Sequence, residues 1–350
     1  MKRQMLILAA LPLLAAVCAY PQRLVAPASA QPAPPSTLPA GSPGCPATER
    51  VGFRIAHFGS LKAALWYPSS SAEEPYAYSQ DISSSLAKDG QPLEGCGTFP
   101  LIVFSHGLLG CGTQSIFLTE TLARHGYVVV APDHQDALLC SVDGSPSSFA
   151  AATESPILNP QNWDDTSYQA RRDDTEMVLA DVLGDSQLKP IIDGNKIGIM
   201  GHSLGGYTAL GMVGGWPSWK DGRLKAALLL SPYTLPFSLH GTVPGVTVPL
   251  MYQGAQGDIG ITPFLEGNAG AYAESNPPKY FVKLRGGNHF TWTNAVCANT
   301  STIAECLQTK TEAQLIDDYG IAFFDFYLKG TAQPQLRSGN AALAAFQDQP

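Results

Sequence analysis

Charge is scarce in this chain, and positive charge scarcer still. Of 350 residues only 14% are Asp, Glu, Lys or Arg, and 21 basic against 29 acidic residues leave a net charge of -8. A chain so poor in basic residues offers no basic face, which argues against nucleic-acid binding. There is no C-x-x-C pair, and no His/Cys cluster has zinc-ligand spacing. No internal repeat is visible. Apolar residues, in contrast, reach 45%, enough to bury a large core and unlike a disordered or fibrous composition. The length exceeds the needs of one small domain, yet α/β folds of this size often form a single unit.

The N-terminus reads differently from the rest. Lys2 and Arg3 precede an apolar run from Met5 to Val17, too short to span a bilayer comfortably, and Ala28-Ser29-Ala30 supplies small residues for signal cleavage. Residues 1–30 are therefore expected to be a Sec-type signal peptide, with a cut after Ala19 as an alternative. A membrane anchor or a lipidated Cys18 are the competing readings. Residues 31–44, rich in Pro, Ala and Ser, read as a flexible leader. A single catalytic domain is expected over 45–335 and a loosely ordered, Ala/Gln/Gly-rich tail over 336–350. Removal of Cys18 leaves six cysteines, an even number that suits disulfides in a secreted or periplasmic protein. Cys297 and Cys306 close a short polar loop. Cys111 and Cys140 would each follow adjacent strands. Cys45 with Cys96 is the pair that remains. Free buried thiols are the alternative.

From residue 100 onward strands and helices alternate. Short apolar runs at 100–104, 127–131, 196–200, 226–230, 248–252 and 280–284 read as buried strands, and 115–125, 168–183, 204–213 and 312–328 read as helices. In the second helix Met177, Val178, Val182 and Leu183 have core-like spacing after an Arg/Asp-rich start. Two more strands, 51–57 and 61–67, precede a polar stretch, 69–98, expected to be an insertion loop. Residues 134–167 are irregular and read as a lid or binding loop. This alternation implies an α/β fold, with a mostly parallel central sheet and helices on both faces.

Gly201-His202-Ser203-Leu204-Gly205 satisfies G-x-S-x-G between a strand and a helix, the setting of a nucleophile elbow. The elbow would push Ser203 out at the carboxyl end of the sheet, where α/β sites form. A serine hydroxyl needs a base to take its proton. His289, after the last of these strands, is expected to be that base. His57, His106, His125, His134 and His240 fall in other elements, and His202 should point elsewhere because neighbours in a tight turn diverge. Asp258 follows the strand at 248–252 and is expected to orient His289; Glu266 and Asp133 are the competitors. The order Ser203, Asp258, His289 is that of the G-x-S-x-G triad. The N–H groups of Leu204 and of Leu108, in Ser105-His106-Gly107-Leu108-Leu109-Gly110, would form an oxyanion hole, with His106 bracing that loop. Trp292 and Trp163 are expected either to line the acyl or alcohol pocket or to pack as partly buried aromatics.

Together, H-G-L-L-G after a strand, G-H-S-L-G-G at the elbow, and the G-D and N-H-F segments resemble the α/β-hydrolase superfamily. Within it the chain looks like the platelet-activating-factor acetylhydrolase and dienelactone-hydrolase-like group and is similar to bacterial cutinase-type polyester hydrolases, over about residues 50–330. The resemblance implies an α/β-hydrolase fold, a triad at Ser203, Asp258 and His289, oxyanion donors at Leu108 and Leu204, and no cofactor or metal. Dienelactone hydrolases proper use a cysteine nucleophile where Ser203 stands, which counts against lactone specificity. A serine ester hydrolase acting on short-chain or acetyl esters is the leading expectation. An amidase or peptidase with the same triad, a polyester or phthalate ester hydrolase, and a non-catalytic binding domain are the alternatives. The partner is expected to be a small-molecule, lipid or polymer ester, with no nucleic acid and no stable membrane span after signal removal, and the protein a monomer.

Overall fold

A computed structural model describes residues 50–145 and 159–350. The expected signal peptide, the leader, Cys45 and part of the irregular 134–167 stretch lie outside the described residues. The chain folds into β1 (Val51–Phe58), β2 (Leu61–Pro68), β3 (Glu74–Ala77), β4 (Ser83–Lys88), β5 (Phe99–Ser105), α1 (Ile116–Arg124), β6 (Val128–Pro132), α2 (Gln169–Gly184), β7 (Ile192–His202) and α3 (Leu204–Leu210). There follow β8 (Leu224–Leu230), α4 (Leu235–His240), β9 (Leu250–Ala255), α5 (Ala271–Glu274), β10 (Lys279–Leu284), α6 (Ile303–Thr309), α7 (Thr311–Phe324) and β11 (Leu343–Gln349).

These strands make one 11-stranded sheet in the order β11-β10-β9-β8-β7-β5-β6-β2-β1-β4-β3. The six strands from β10 to β6 in that order run parallel. Their sequences are continuous apolar runs because both faces are covered. One face carries α2 and α3 over a core that includes Val103, Ile199 and Leu229. The other carries α1 and α7 over Phe104, Met200 and Leu228. Alternate residues of one strand thus feed opposite cores. β5 has β6 on one side and β7 on the other, so strand order reverses there. Crevices at such a switch point open beyond the carboxyl ends of the strands.

Three expectations need correction. The polar stretch 69–98 is not only loop: β3 and β4 form an antiparallel hairpin, and β4 joins β1 in parallel. Tyr76 and Tyr78 pack on Phe53 with ring centroids 5.1 and 5.2 Å away, so two aromatics anchor an otherwise polar insertion. The tail expected to be loosely ordered over 336–350 contains β11, which pairs antiparallel with β10. Backbone pairing, with one buried leucine at Leu343, suffices for an edge strand and leaves no strong apolar signal. In α2, Val178 and Val182 are buried as expected and Leu183 packs half-buried against the core, but Met177 is exposed, and Arg171, Asp174, Thr175 and Leu179 complete the buried face. That face is polar at its start, which explains the weak helical pattern.

Disulfides join Cys111 to Cys140 and Cys297 to Cys306. Cys96 is also disulfide-bonded; Cys45, the partner expected for it, lies outside the described residues. No helix among the described residues is long and apolar enough to cross a membrane.

Candidate active site

Ser203 directly follows β7 and caps α3, at φ 55° and ψ -116°. A non-glycine residue held there is strained, and such strain is characteristic of a strand-to-helix elbow. The flanking glycines make the turn possible. A Cβ on Gly201 would run into the Gly205 carbonyl, and one on Gly205 into the Ser105 carbonyl at the end of β5.

The Ser203 hydroxyl lies 2.9 Å from His289 Nε2. His289 reaches over from the loop after β10, and its Nδ1 is 3.3 Å from Asp258 Oδ1. Asp258, in the turn after β9, has a fully buried side chain, whereas the imidazole keeps 16% exposure. The three residues expected to act together are therefore in mutual reach. The competing acids are elsewhere: Glu266 pairs with Lys283, and Asp133 accepts from the Gly112 and Val142 amides.

A fourth residue joins them. Ser231, immediately after β8, has φ 42°. Its hydroxyl donates to Asp258 Oδ2 in a very short contact and lies 2.9 Å from His289 Nδ1. One serine behind a strand carries no motif; only its place at the carboxyl end of the strand beside the elbow could have drawn attention to it.

His202 does point away from Ser203, as expected, but it is not idle. Gln114 Nε2 donates to its Nδ1 at 3.0 Å, and its Nε2 donates to the His289 carbonyl at 2.8 Å. Burial, and then the neighbouring His289 imidazole, push its pKa down to about 3, so the ring is neutral and serves as a relay of hydrogen bonds. Gln114 Oε1 in turn accepts the Gly107 N–H at 3.1 Å. The 105–110 loop and the His289 loop are thus joined through two buried side chains.

Leu108 lies in the turn after β5, and Leu204 is the first residue of α3; among the described residues neither amide donates a hydrogen bond. His106 braces the loop as expected. Its Nδ1 donates to the Gly107 carbonyl at 2.7 Å, and its Nε2 accepts from the His134 amide at 3.0 Å. Burial first, then Arg171, hold its pKa well below the usual histidine value.

Both tryptophans lie in the packed interior. Trp292 is fully buried and donates to Gln253 on β9 at 2.9 Å. Trp163 is fully buried among Tyr168, Tyr207 and Tyr233, with ring centroids 4.8 to 5.2 Å away. Both belong to the core, the second of the two roles expected for them, and are wholly rather than partly buried. The apolar side chains exposed beside the triad are instead Ile259, 76% accessible, and Phe290, 56% accessible.

A family model described as "Platelet-activating factor acetylhydrolase, isoform II" matches residues 77–152, which include β5, the loop after it, α1 and β6. The chain is 27% identical over 225 residues to cutinase est1 of Thermobifida alba, covering 62% of this chain and 64% of that protein. It is 24% identical over 286 residues to the platelet-activating factor acetylhydrolase of Cavia porcellus, covering 69% of this chain and 60% of that one. The matches thus span less than two thirds of these relatives' length. The structure of a ferulic acid esterase from Streptomyces cinnamoneus superposes with a TM-score of 0.64 at 20% identity, covering 89% of this chain and 100% of that one. The sheet topology and the superposition show the α/β-hydrolase fold, and in sequence the chain is similar to the platelet-activating factor acetylhydrolases and the cutinases.

Proposed function

We propose that the protein is a serine carboxylic ester hydrolase working through an acyl-enzyme on Ser203. The 2.9 Å contact from His289 Nε2 to the hydroxyl of a strained Ser203 carries this reading. His289 Nε2 takes the Ser203 proton as the oxygen attacks an ester carbonyl, while Asp258 and Ser231 hold Nδ1–H in place. The Leu108 and Leu204 N–H groups bind the oxyanion. His289 then protonates the leaving alcohol, and water attacks the acyl carbonyl by the same route. No cofactor enters these steps.

Short-chain or acetyl esters are the leading substrates. A second reading, polyester or phthalate ester hydrolysis, is favoured by the exposed Ile259 and Phe290 beside the acid and the base. The names of the cutinase relatives support it too. Export to the periplasm or medium is supported by the two disulfides, since such bonds persist in oxidising compartments.

Purified protein and its Ser203→Ala variant, assayed on p-nitrophenyl esters from acetate to palmitate and on matching anilides, test the reading. Turnover of short esters that is lost in the variant supports it. Turnover of anilides alone would replace it with an amidase, and ester turnover unchanged in the variant would remove Ser203 from the chemistry.

A further inference from the structure

We infer that Arg171 is a positioning residue that aims the Leu108 N–H into the oxyanion hole, an assignment that rests on the ester-hydrolase reading above. A peptide unit is planar and trans, so its C=O and N–H point in opposite directions. The Leu108 N–H shares its plane with the Gly107 carbonyl; whatever holds that oxygen sets the direction of that hydrogen. The Gly107 carbonyl accepts from Arg171 Nη2 at 3.1 Å, from His106 Nδ1 at 2.7 Å and from the Gly110 amide at 3.0 Å. Arg171 Nη1 holds the preceding carbonyl, that of His106, at 2.7 Å. From the far side, Gln114 takes the Gly107 N–H. Two successive peptide planes are therefore pinned.

The second donor is held differently. The Leu204 N–H shares its plane with the Ser203 carbonyl, which accepts from the Tyr207 and Tyr233 amides at 3.1 and 3.0 Å. Backbone alone fixes Leu204, because a helix begins there. Leu108 lies in a short turn where one backbone bond, Gly110 N–H to the Gly107 carbonyl at 3.0 Å, closes the loop, and Arg171 from α2 and His106 add side-chain donors to the same oxygen. The requirement explains the residue type. Arg171 is only 2% exposed, in the first turn of α2, and buried charge is costly unless fully partnered. Its charge is paired with Asp136 at 2.7 Å, although its Nε makes no hydrogen bond. A guanidinium fork can hold two carbonyls and a carboxylate at once, which an ammonium cannot match.

The test is kinetic. In Arg171→Met the kcat for p-nitrophenyl acetate is expected to fall about 10- to 100-fold, less than the roughly 10²- to 10³-fold of a deleted oxyanion donor, with KM nearly unchanged. Arg171→Lys, which keeps one donor and the charge, should recover part of that loss. The acid limb of the pH–rate profile should not move, because His289 and Asp258 are untouched. Labelling of Ser203 by an alkyl fluorophosphonate, which builds charge in the same hole, should slow in parallel. Its end point counts folded sites, so kcat is read per titrated site. Should Arg171→Met not fold, Arg171→Gln takes its place. Wild-type kcat per titrated site in the Met or Gln variant, or a raised KM with kcat retained, overturns the assignment alone. A wild-type protein that neither turns over esters nor labels at Ser203 overturns the ester-hydrolase reading and the assignment with it.

Discussion

Replacing His202 with phenylalanine should weaken the protein strongly at pH 8 and much less at pH 5. The substitution keeps a ring beside Trp292, 6.4 Å away, but removes the bonds to Gln114 and to the His289 carbonyl. The buried Gln114 amide and the half-buried His289 carbonyl lose their partner, at about 1–3 kcal/mol for the first and less for the second, so the variant should lose about 2–4 kcal/mol at pH 8. That is a large part of the ~5–15 kcal/mol that stabilises a typical domain. The pH dependence follows from the lowered pKa, about 3 in the folded protein. An unfolded histidine takes its proton near pH 6.5, and the folded one does not until the pH approaches 3. The stability from a neutral His202 is therefore complete above pH 6.5 and is lost as the pH falls below it. At about 1.4 kcal/mol per pH unit, wild type should lose about 2 kcal/mol at this position between pH 6.5 and 5. Phenylalanine binds no proton, so the gap between the two proteins should narrow by that amount. His106 and His134, also buried with lowered pKa values, are present in both proteins and cancel. Urea denaturation followed by tryptophan fluorescence at both pH values gives the gap directly. An equal gap at pH 8 and pH 5 would refute a buried neutral His202.

Ser231→Ala should lower kcat about tenfold with the fold intact, the equivalent of one hydrogen bond to a charged group; an unchanged kcat in steady-state assays would limit Ser231 to packing. Replacing Cys111 and Cys140 by serine opens a bridge of sequence separation 29 and should cost about 4 kcal/mol, against about 3 for Cys297 and Cys306 at separation 9, by denaturant titration. Only the first pair should also lower kcat, because the Leu138 and Leu139 amides next to Cys140 hold the Leu109 carbonyl of the oxyanion loop. Trp292→Phe should lower the melting temperature by removing the bond to Gln253 while leaving KM for p-nitrophenyl esters unchanged; a raised KM would return Trp292 to the pocket.

The parts of the site that the sequence revealed are those whose chemistry demands particular residue types. Gly201 and Gly205 mark the elbow because any side chain there would strike backbone. Asp258 and His289 stand out because each follows a strong apolar strand in the right order. The supporting parts were illegible for an equally physical reason. Ser231, Gln114 and Arg171 act through position alone, and Arg171 sits in an Arg/Asp-rich helix start that reads as a solvated face although it is buried. His202 diverges from Ser203, as neighbours in a tight turn do, and that divergence carries it to the His289 loop. Edge pairing in β11 and the two-tyrosine anchor of the β3–β4 hairpin leave little periodicity to read.

The central claim is a covalent acyl group on Ser203. Rapid quench of the protein with p-nitrophenyl acetate, followed by peptide mass spectrometry, measures it directly. One acetyl group is expected on the peptide containing Ser203, formed in a burst and absent from Ser203→Ala. Acetylation at another residue, or ester turnover with no acetylated peptide and no burst, would contradict it.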